Sequence, residues 1–103
     1  MAHQHHKTDN ELLLALNQGD SVAYTELYER YKQVLLKHAY RMLHDDDEAM
    51  DVVQDCFEKL WKQSNALEIK TSLKSYLYTM VRNRTLDMIN KSRHREDYVV
   101  SLA

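Results

Sequence analysis

Residues 45–61 read DDDEAMDVVQDCFEKLW, and the fold can be argued from them. Met50, Val53, Phe57, Leu60 and Trp61 recur at steps of three and four, the spacing that lines one face of an α-helix. Seven carboxylates share the same seventeen residues. Asp45, Asp46 and Asp47 stand at the start, where unpaired amides and the helix macrodipole favour negative charge. Further in, Glu48, Asp51, Asp55 and Glu58 also recur at steps of three and four, forming an outward stripe with Gln54 beside it. Like charges at such spacings repel by about a few tenths of a kcal/mol per pair, and in mid-helix the dipole no longer offsets that cost. The stripe is either a solubilising face or a docking surface for a basic partner. An EF-hand calcium loop is excluded, because its turn-making glycine and its alternating ligands are missing.

On either side of this helix the same periodicity predicts others. Thr8-Asp9-Asn10-Glu11 has the form of a capping box, and Leu12, Leu13 and Leu16 follow it before a stop at Gly19. Asp20 or Ser21 caps a second helix of about six turns. Its apolar stripe is Tyr24, Leu27, Tyr28, Tyr31, Val34, Leu35, His38, Ala39 and Met42. The tyrosines share a face with leucines, so they read as core edge rather than a base-stacking platform, and His38 as a packing residue. After the polar loop Gln63–Lys70, Thr71 or Ser72 can cap a fourth helix running from about Leu73 towards Arg95. Its buried candidates are Leu73, Leu77, Met80, Val81, Met88 and Ile89.

One glycine and no proline in 103 residues argue against hairpin-rich architecture, which needs turn residues at short intervals. The expectation is an all-α domain, a compact bundle of about four helices around one core. No apolar run approaches the roughly 18 residues of a membrane helix, and the amino terminus lacks a signal-peptide stretch. The single Cys56 falls inside a helical pattern and reads as a buried thiol in a reducing cytoplasm. His3, His5 and His6 lie in a polar tail with nothing rigid to hold a metal, so no metal site and no cofactor are expected. Nor is catalysis expected: no nucleophile–base pair, metal-ligand spacing or glycine-rich phosphate loop is present.

The charge is divided. Residues 1–58 carry 5 Lys and Arg against 12 Asp and Glu, whereas residues 59–103 carry 9 against 4. An acidic first half and a basic second half suggest two partners of opposite sign.

Two motifs on this helical frame resemble a known family. One is Asp51-Val52-Val53-Gln54-Asp55 with Phe57 and Trp61; the other is Tyr76-Leu77-Tyr78 with Arg82-Asn83 and Leu86-Asp87. Together they resemble region 2 of bacterial sigma factors of the extracytoplasmic-function (ECF) group, over about Asp9 to Arg95. The resemblance implies a sigma region 2-like bundle that docks on RNA polymerase core at the β′ clamp helices, a basic coiled coil, through Asp51, Gln54, Asp55 and the neighbouring Glu58. It further implies recognition of the promoter −10 element, with a base flipped from the non-template strand captured by the loop before the fourth helix.

The residues suited to DNA are Ser64 and Asn65 in the loop, with Lys70, Lys74, Arg82 and Arg84 for phosphates, Asn83 for base edges and Tyr76 as aromatic wedge. Tyr76 stands where the family usually has tryptophan, which keeps a ring but shrinks the wedge. Asp87 reads as a structural partner for a nearby cation. An anti-sigma factor is a further partner the resemblance allows. The expected organisation is a disordered tail over 1–8, the helical domain over 9–95, and over 96–103 the start of a linker to an absent region 4. The alternative is a sigma-like interaction module that keeps the acidic docking face and does not bind DNA.

Overall fold

The computed structural model describes residues 7–66 and 68–102, with side chains described through Arg93. Helix α1 spans Asp9–Asn17, α2 Ser21–Leu43, α3 Asp46–Lys62 and α4 Leu73–Leu102, with a single 3₁₀ turn at Ser64–Ala66. No strand occurs among the described residues. The histidine tail lies outside them.

The boundaries follow from local chemistry. Thr8 Oγ1 accepts the Glu11 N–H at 3.1 Å, and Glu11 Oε1 accepts the Thr8 N–H at 2.8 Å, completing the capping box. Gly19 takes φ 85°, where a side chain would be strained. Its N–H donates to the Leu16 carbonyl at 2.8 Å, and Asp20 then caps α2 by accepting the Val22 N–H at 2.9 Å. The next turn has no glycine. His44 itself takes the left-handed conformation, at φ 54°, at a cost of about 1–2 kcal/mol, and Asp45 caps α3 by accepting the Glu48 N–H at 2.9 Å. Only these two residues separate the helices, so α2 and α3 form a tight antiparallel pair. Ser72 Oγ accepts the Ser75 N–H at 3.0 Å at the start of α4.

Helix α2 is the hub and packs against α1, α3 and α4. Its buried line is Ala23, Leu27, Tyr31, Leu35 and Ala39, a strict four-residue step. Leu12 and Leu16 of α1, Val53, Phe57 and Leu60 of α3, and Leu77 and Val81 of α4 close on it. At roughly 1.5–3 kcal/mol per buried large apolar side chain, this shared core holds the four helices together. Tyr31 donates its hydroxyl to Asp9, which also takes Arg30 at 2.9 Å; Arg30 reaches on to the Lys7 carbonyl at 2.8 Å. Lys7, expected in the tail, is therefore tied to α2, and Thr8 to α1 through its cap. Burial and the Asp9 bond push the Tyr31 hydroxyl up to about 12.

Four expectations shift. Val34 is exposed, and Tyr24, Tyr28, His38 and Met42 form the half-buried margins of α2. On α3, Met50 and Trp61 stay 37% and 38% exposed, while Ala49, Val52 and Cys56 lie inside. The inward face is thus rotated by roughly 60° from the one read off the largest side chains, at 100° per residue. The reason is α4, which closes over the Cys56 side of α3, where a small residue permits close approach. The Cys56 thiol is held up to about 11 by that burial.

The third shift is on α4, where the buried positions are Leu73, Leu77, Val81 and the unpredicted Thr85; Met80, Met88 and Ile89 are only partly covered. The fourth concerns its end. Helix α4 continues through Leu102 rather than stopping near Arg95, because polarity alone does not end a helix that meets neither glycine nor proline. With 30 residues it is roughly 45 Å long, so the expected four-helix bundle is drawn out along one axis, measuring 64 × 30 × 21 Å. No described helix is long and apolar enough to cross a membrane.

Candidate functional site

The outer face of α3 lies opposite the buried line of Val53, Cys56 and Leu60, so its carboxylates point to solvent. Asp47, Glu48, Asp51, Gln54, Asp55 and Glu58 are all exposed. Glu58 meets Lys62 at 3.8 Å, and Asp55 accepts Arg84 of α4 at 3.1 Å, both pairs open to water. Exposed pairs are worth about 0.2–1 kcal/mol, so neither removes its carboxylate from use. Asp51 has no ion-pair partner among the described residues. Gln54 is held in place: its Nε2 donates to the Tyr28 hydroxyl at 2.6 Å. Four side chains predicted to act together therefore do share one face, with Gln54 at its α2 edge.

That edge is aromatic. Tyr28 packs edge-on to buried Phe57 at 5.0 Å, and Tyr24 packs on Phe57 at 6.3 Å and on Trp61 at 5.1 Å. Burial raises the Tyr24 hydroxyl, with smaller contributions from Tyr28 and Glu58. Trp61 and Met50 flank the acidic stripe rather than filling the core, which sequence reasoning missed. The signal was available, since position 61 projects within about 20° of position 54 on a helical wheel.

The residues proposed for DNA do not form one surface. Ser64 is only 8% exposed, tucked into the 3₁₀ turn, whereas Asn65 beside it is exposed. Lys70 and Lys74 are exposed. Tyr76 is half-buried against the core, and burial first, then Cys56, raises its hydroxyl. Arg82 and Arg84 are two residues apart, so they leave the helix about 160° apart. Arg84 leans on α3 and pairs with Asp55. Arg82 is exposed on the flank facing α2, near enough to His38 to depress its protonation. Lys74, Tyr78 and Arg82 follow one another at four-residue steps, a ridge with an aromatic ring between two cations. Asp87, expected to pair with a cation, is exposed and forms no ion pair among the described residues.

His38 backs that ridge, its ring 4.9 Å from Tyr78 and its Nε2 buried with no partner. Desolvation, then Arg41 and Arg82, lower its pKa below 6.5. A histidine depressed on folding binds fewer protons folded than unfolded, so stability is intact above 6.5 and falls as pH drops towards the folded pKa. Thermal unfolding at pH 7.5 and pH 5.5 is expected to show a lower midpoint at the acid end, and His38→Gln to flatten that drop. An unchanged pH dependence in the variant would clear His38 of the effect.

No group of three or more His, Cys, Asp or Glu among the described residues is placed to hold a metal. The sequence profile of the Sigma-70 region 2 family matches residues 27–95. The ECF RNA polymerase sigma factor SigW of Bacillus subtilis is 28% identical over 78 residues, covering 76% of this chain and 42% of that protein. The ECF RNA polymerase sigma factor SigG of Mycobacterium tuberculosis is 35% identical over 77 residues, covering 75% of this chain and 20% of that protein. The chain thus spans less than half the length of either relative. An NMR structure of an engineered region 2 of sigmaE in complex with GTAAAA superposes with a TM-score of 0.78 at 22% identity, covering 90% of this chain and 97% of that one. With fold, paired motifs and matches in agreement, the chain belongs to the sigma-70 region 2 family, as a region 2 domain of the ECF type.

Proposed function

We propose that this domain docks on RNA polymerase core through the outer face of α3, with Asp51, Gln54, Asp55 and Glu58 against the basic β′ clamp helices. A non-catalytic role in transcription initiation in the cytoplasm follows from that docking. The carrying observation is the acidic stripe itself, in particular exposed Asp51 with no ion-pair partner among the described residues and Gln54 oriented by Tyr28. Binding of the chain to core polymerase at two salt concentrations tests this. Salt-weakened binding is expected, because rim charges steer and hold such contacts in an ionic-strength-dependent way. Salt-independent or absent binding would count against it.

The second half of the proposal is contact with the −10 element, non-template strand, by the α3–α4 loop and α4. Lys70, Lys74 and Arg82 are exposed for phosphates, and Asn65 and Asn83 for base edges. Ser64, Tyr76 and Arg84 reach DNA only if their present contacts loosen, which makes them second in order. A single-stranded oligonucleotide containing GTAAAA, with a scrambled control, is a rational first probe. Lys74→Ala with Arg82→Ala is expected to weaken binding and to lower the log K against log salt slope by about 1.4, at roughly 0.7 per single-strand phosphate contact. An unchanged slope would move the DNA face elsewhere. Buried Ser64 and half-buried Tyr76 favour a second reading, the DNA-independent interaction module, which the same oligonucleotide experiment separates.

A further inference from the structure

Between the start of α2 and the end of α3 lies a notch of about 380 Å³, walled by Tyr24 and Thr25 on one side and by Gln54, Asp55, Glu58 and Trp61 on the other. We propose that this notch receives an arginine side chain from the basic partner, its guanidinium stacked on the Trp61–Tyr24 rings and hydrogen-bonded to the rim carboxylates. The proposal rests on the polymerase-docking reading and specifies its chemistry.

Three features select the occupant. First, the floor is a fixed pair of rings. Tyr24 and Trp61 meet at 5.1 Å and 58°, an open V, with Tyr24 braced edge-on against fully buried Phe57. Trp61 remains 38% exposed, so its face is open to a ligand. A cation over an indole gains about 0.5–2 kcal/mol, most when water is excluded.

Second, the rim is acidic. Asp55 and Glu58 are one helical turn apart, and Gln54 adds a polar edge. An apolar side chain entering here would desolvate carboxylates without pairing them, and an anion would be repelled. A planar guanidinium can stack and donate to a carboxylate at once, whereas an ammonium is a point charge that does so poorly.

Third, this aromatic row already holds one cation where it can. Lys32 Nζ sits 5.4 Å over the Tyr28 ring, the next ring along α2. Among the described residues no cation covers Tyr24 or Trp61. The internal partners of the rim, Lys62 on Glu58 and Arg84 on Asp55, are solvent-open pairs that an incoming guanidinium can displace at little cost.

Trp61 is the only tryptophan of the chain, so the notch can be addressed singly. Affinities for core polymerase would be measured for the 103-residue chain, Trp61→Leu, Trp61→Phe and the docking control Asp51→Lys, with helical circular dichroism as the folding control. Each would be repeated on core polymerase whose clamp-helix arginines are changed to lysine. Trp61→Leu is expected to weaken binding by between about twofold and thirtyfold, with Trp61→Phe recovering most of it. The preference for arginine over lysine should disappear in Trp61→Leu. Full binding by Trp61→Leu, alongside loss in Asp51→Lys, overturns the notch and leaves docking standing. Equal losses in Trp61→Leu and Trp61→Phe, or an arginine preference that survives in Trp61→Leu, also overturn it. A folded wild-type chain that does not bind core polymerase overturns the docking reading and the notch with it.

Discussion

Reversing the charge at Asp51 and Asp55 together, as Asp51→Lys with Asp55→Lys, is expected to weaken binding to core polymerase by at least about a hundredfold. Each reversal turns an attraction to a basic coiled coil into a like-charge repulsion, and a combined loss of roughly 3 kcal/mol corresponds to that factor. The fold should survive. Both side chains are exposed, and the ion pair that disappears, Asp55 with Arg84, is worth about 0.2–1 kcal/mol. The two positions are not equivalent. Asp51 has no cation of its own to satisfy among the described residues, so Asp51→Lys acts on the partner alone. Asp55→Lys also faces Arg84 with a like charge and disturbs α4 locally. Helical circular dichroism beside a polymerase titration checks both statements. Wild-type affinity in a folded double variant would sink the docking assignment.

Phe57→Ala is expected to cost about 3–5 kcal/mol, the range for emptying a buried aromatic site. The ring is completely buried and receives Tyr24 and Tyr28 edge-on, so α2 cannot collapse into the space without moving both tyrosines. Against a total stability of about 5–15 kcal/mol for a domain, that loss leaves a marginal protein. Urea unfolding measures it as a lower midpoint at similar slope. The consequence reaches the binding face, because Tyr28 holds Gln54 and Tyr24 forms one wall of the notch. Even where the variant folds, polymerase binding should drop. A loss below about 1 kcal/mol would mean that the site repacks and that core and binding face are only weakly linked.

Much of the architecture was legible in the sequence because its causes are local. Thr8, Asp20 and Asp45 announce helix starts through bonds to amides two or three residues away. Gly19 marks a stop through its own backbone. The acidic stripe of α3 was legible for the same reason: its spacing is a property of one helix, whatever packs on it. The motifs that carry family membership lie on that frame, and the profile match over 27–95 agrees with them.

How each helix is turned about its axis, and which distant side chains meet, came from packing between elements. Periodicity marks an apolar face to within a wide sector, and neighbours choose the angle inside it. Thus packing between the helices drew Ala49, Val52 and Cys56 of α3 inward, left Met50 and Trp61 at the surface, and buried Thr85. Ser64, read as a loop residue open to DNA, was buried by the packing of the 3₁₀ turn against α1 and α3. Arg84 and Asp55, 29 residues apart and assigned to different partners, met across two helices, as did Tyr28 and Gln54, 26 residues apart. Such pairings depend on the positions of two helix axes at once, and no window of sequence contains that information. The helices and their charge are therefore written in the chain locally, whereas the side chains left free to bind are selected by the way the helices pack.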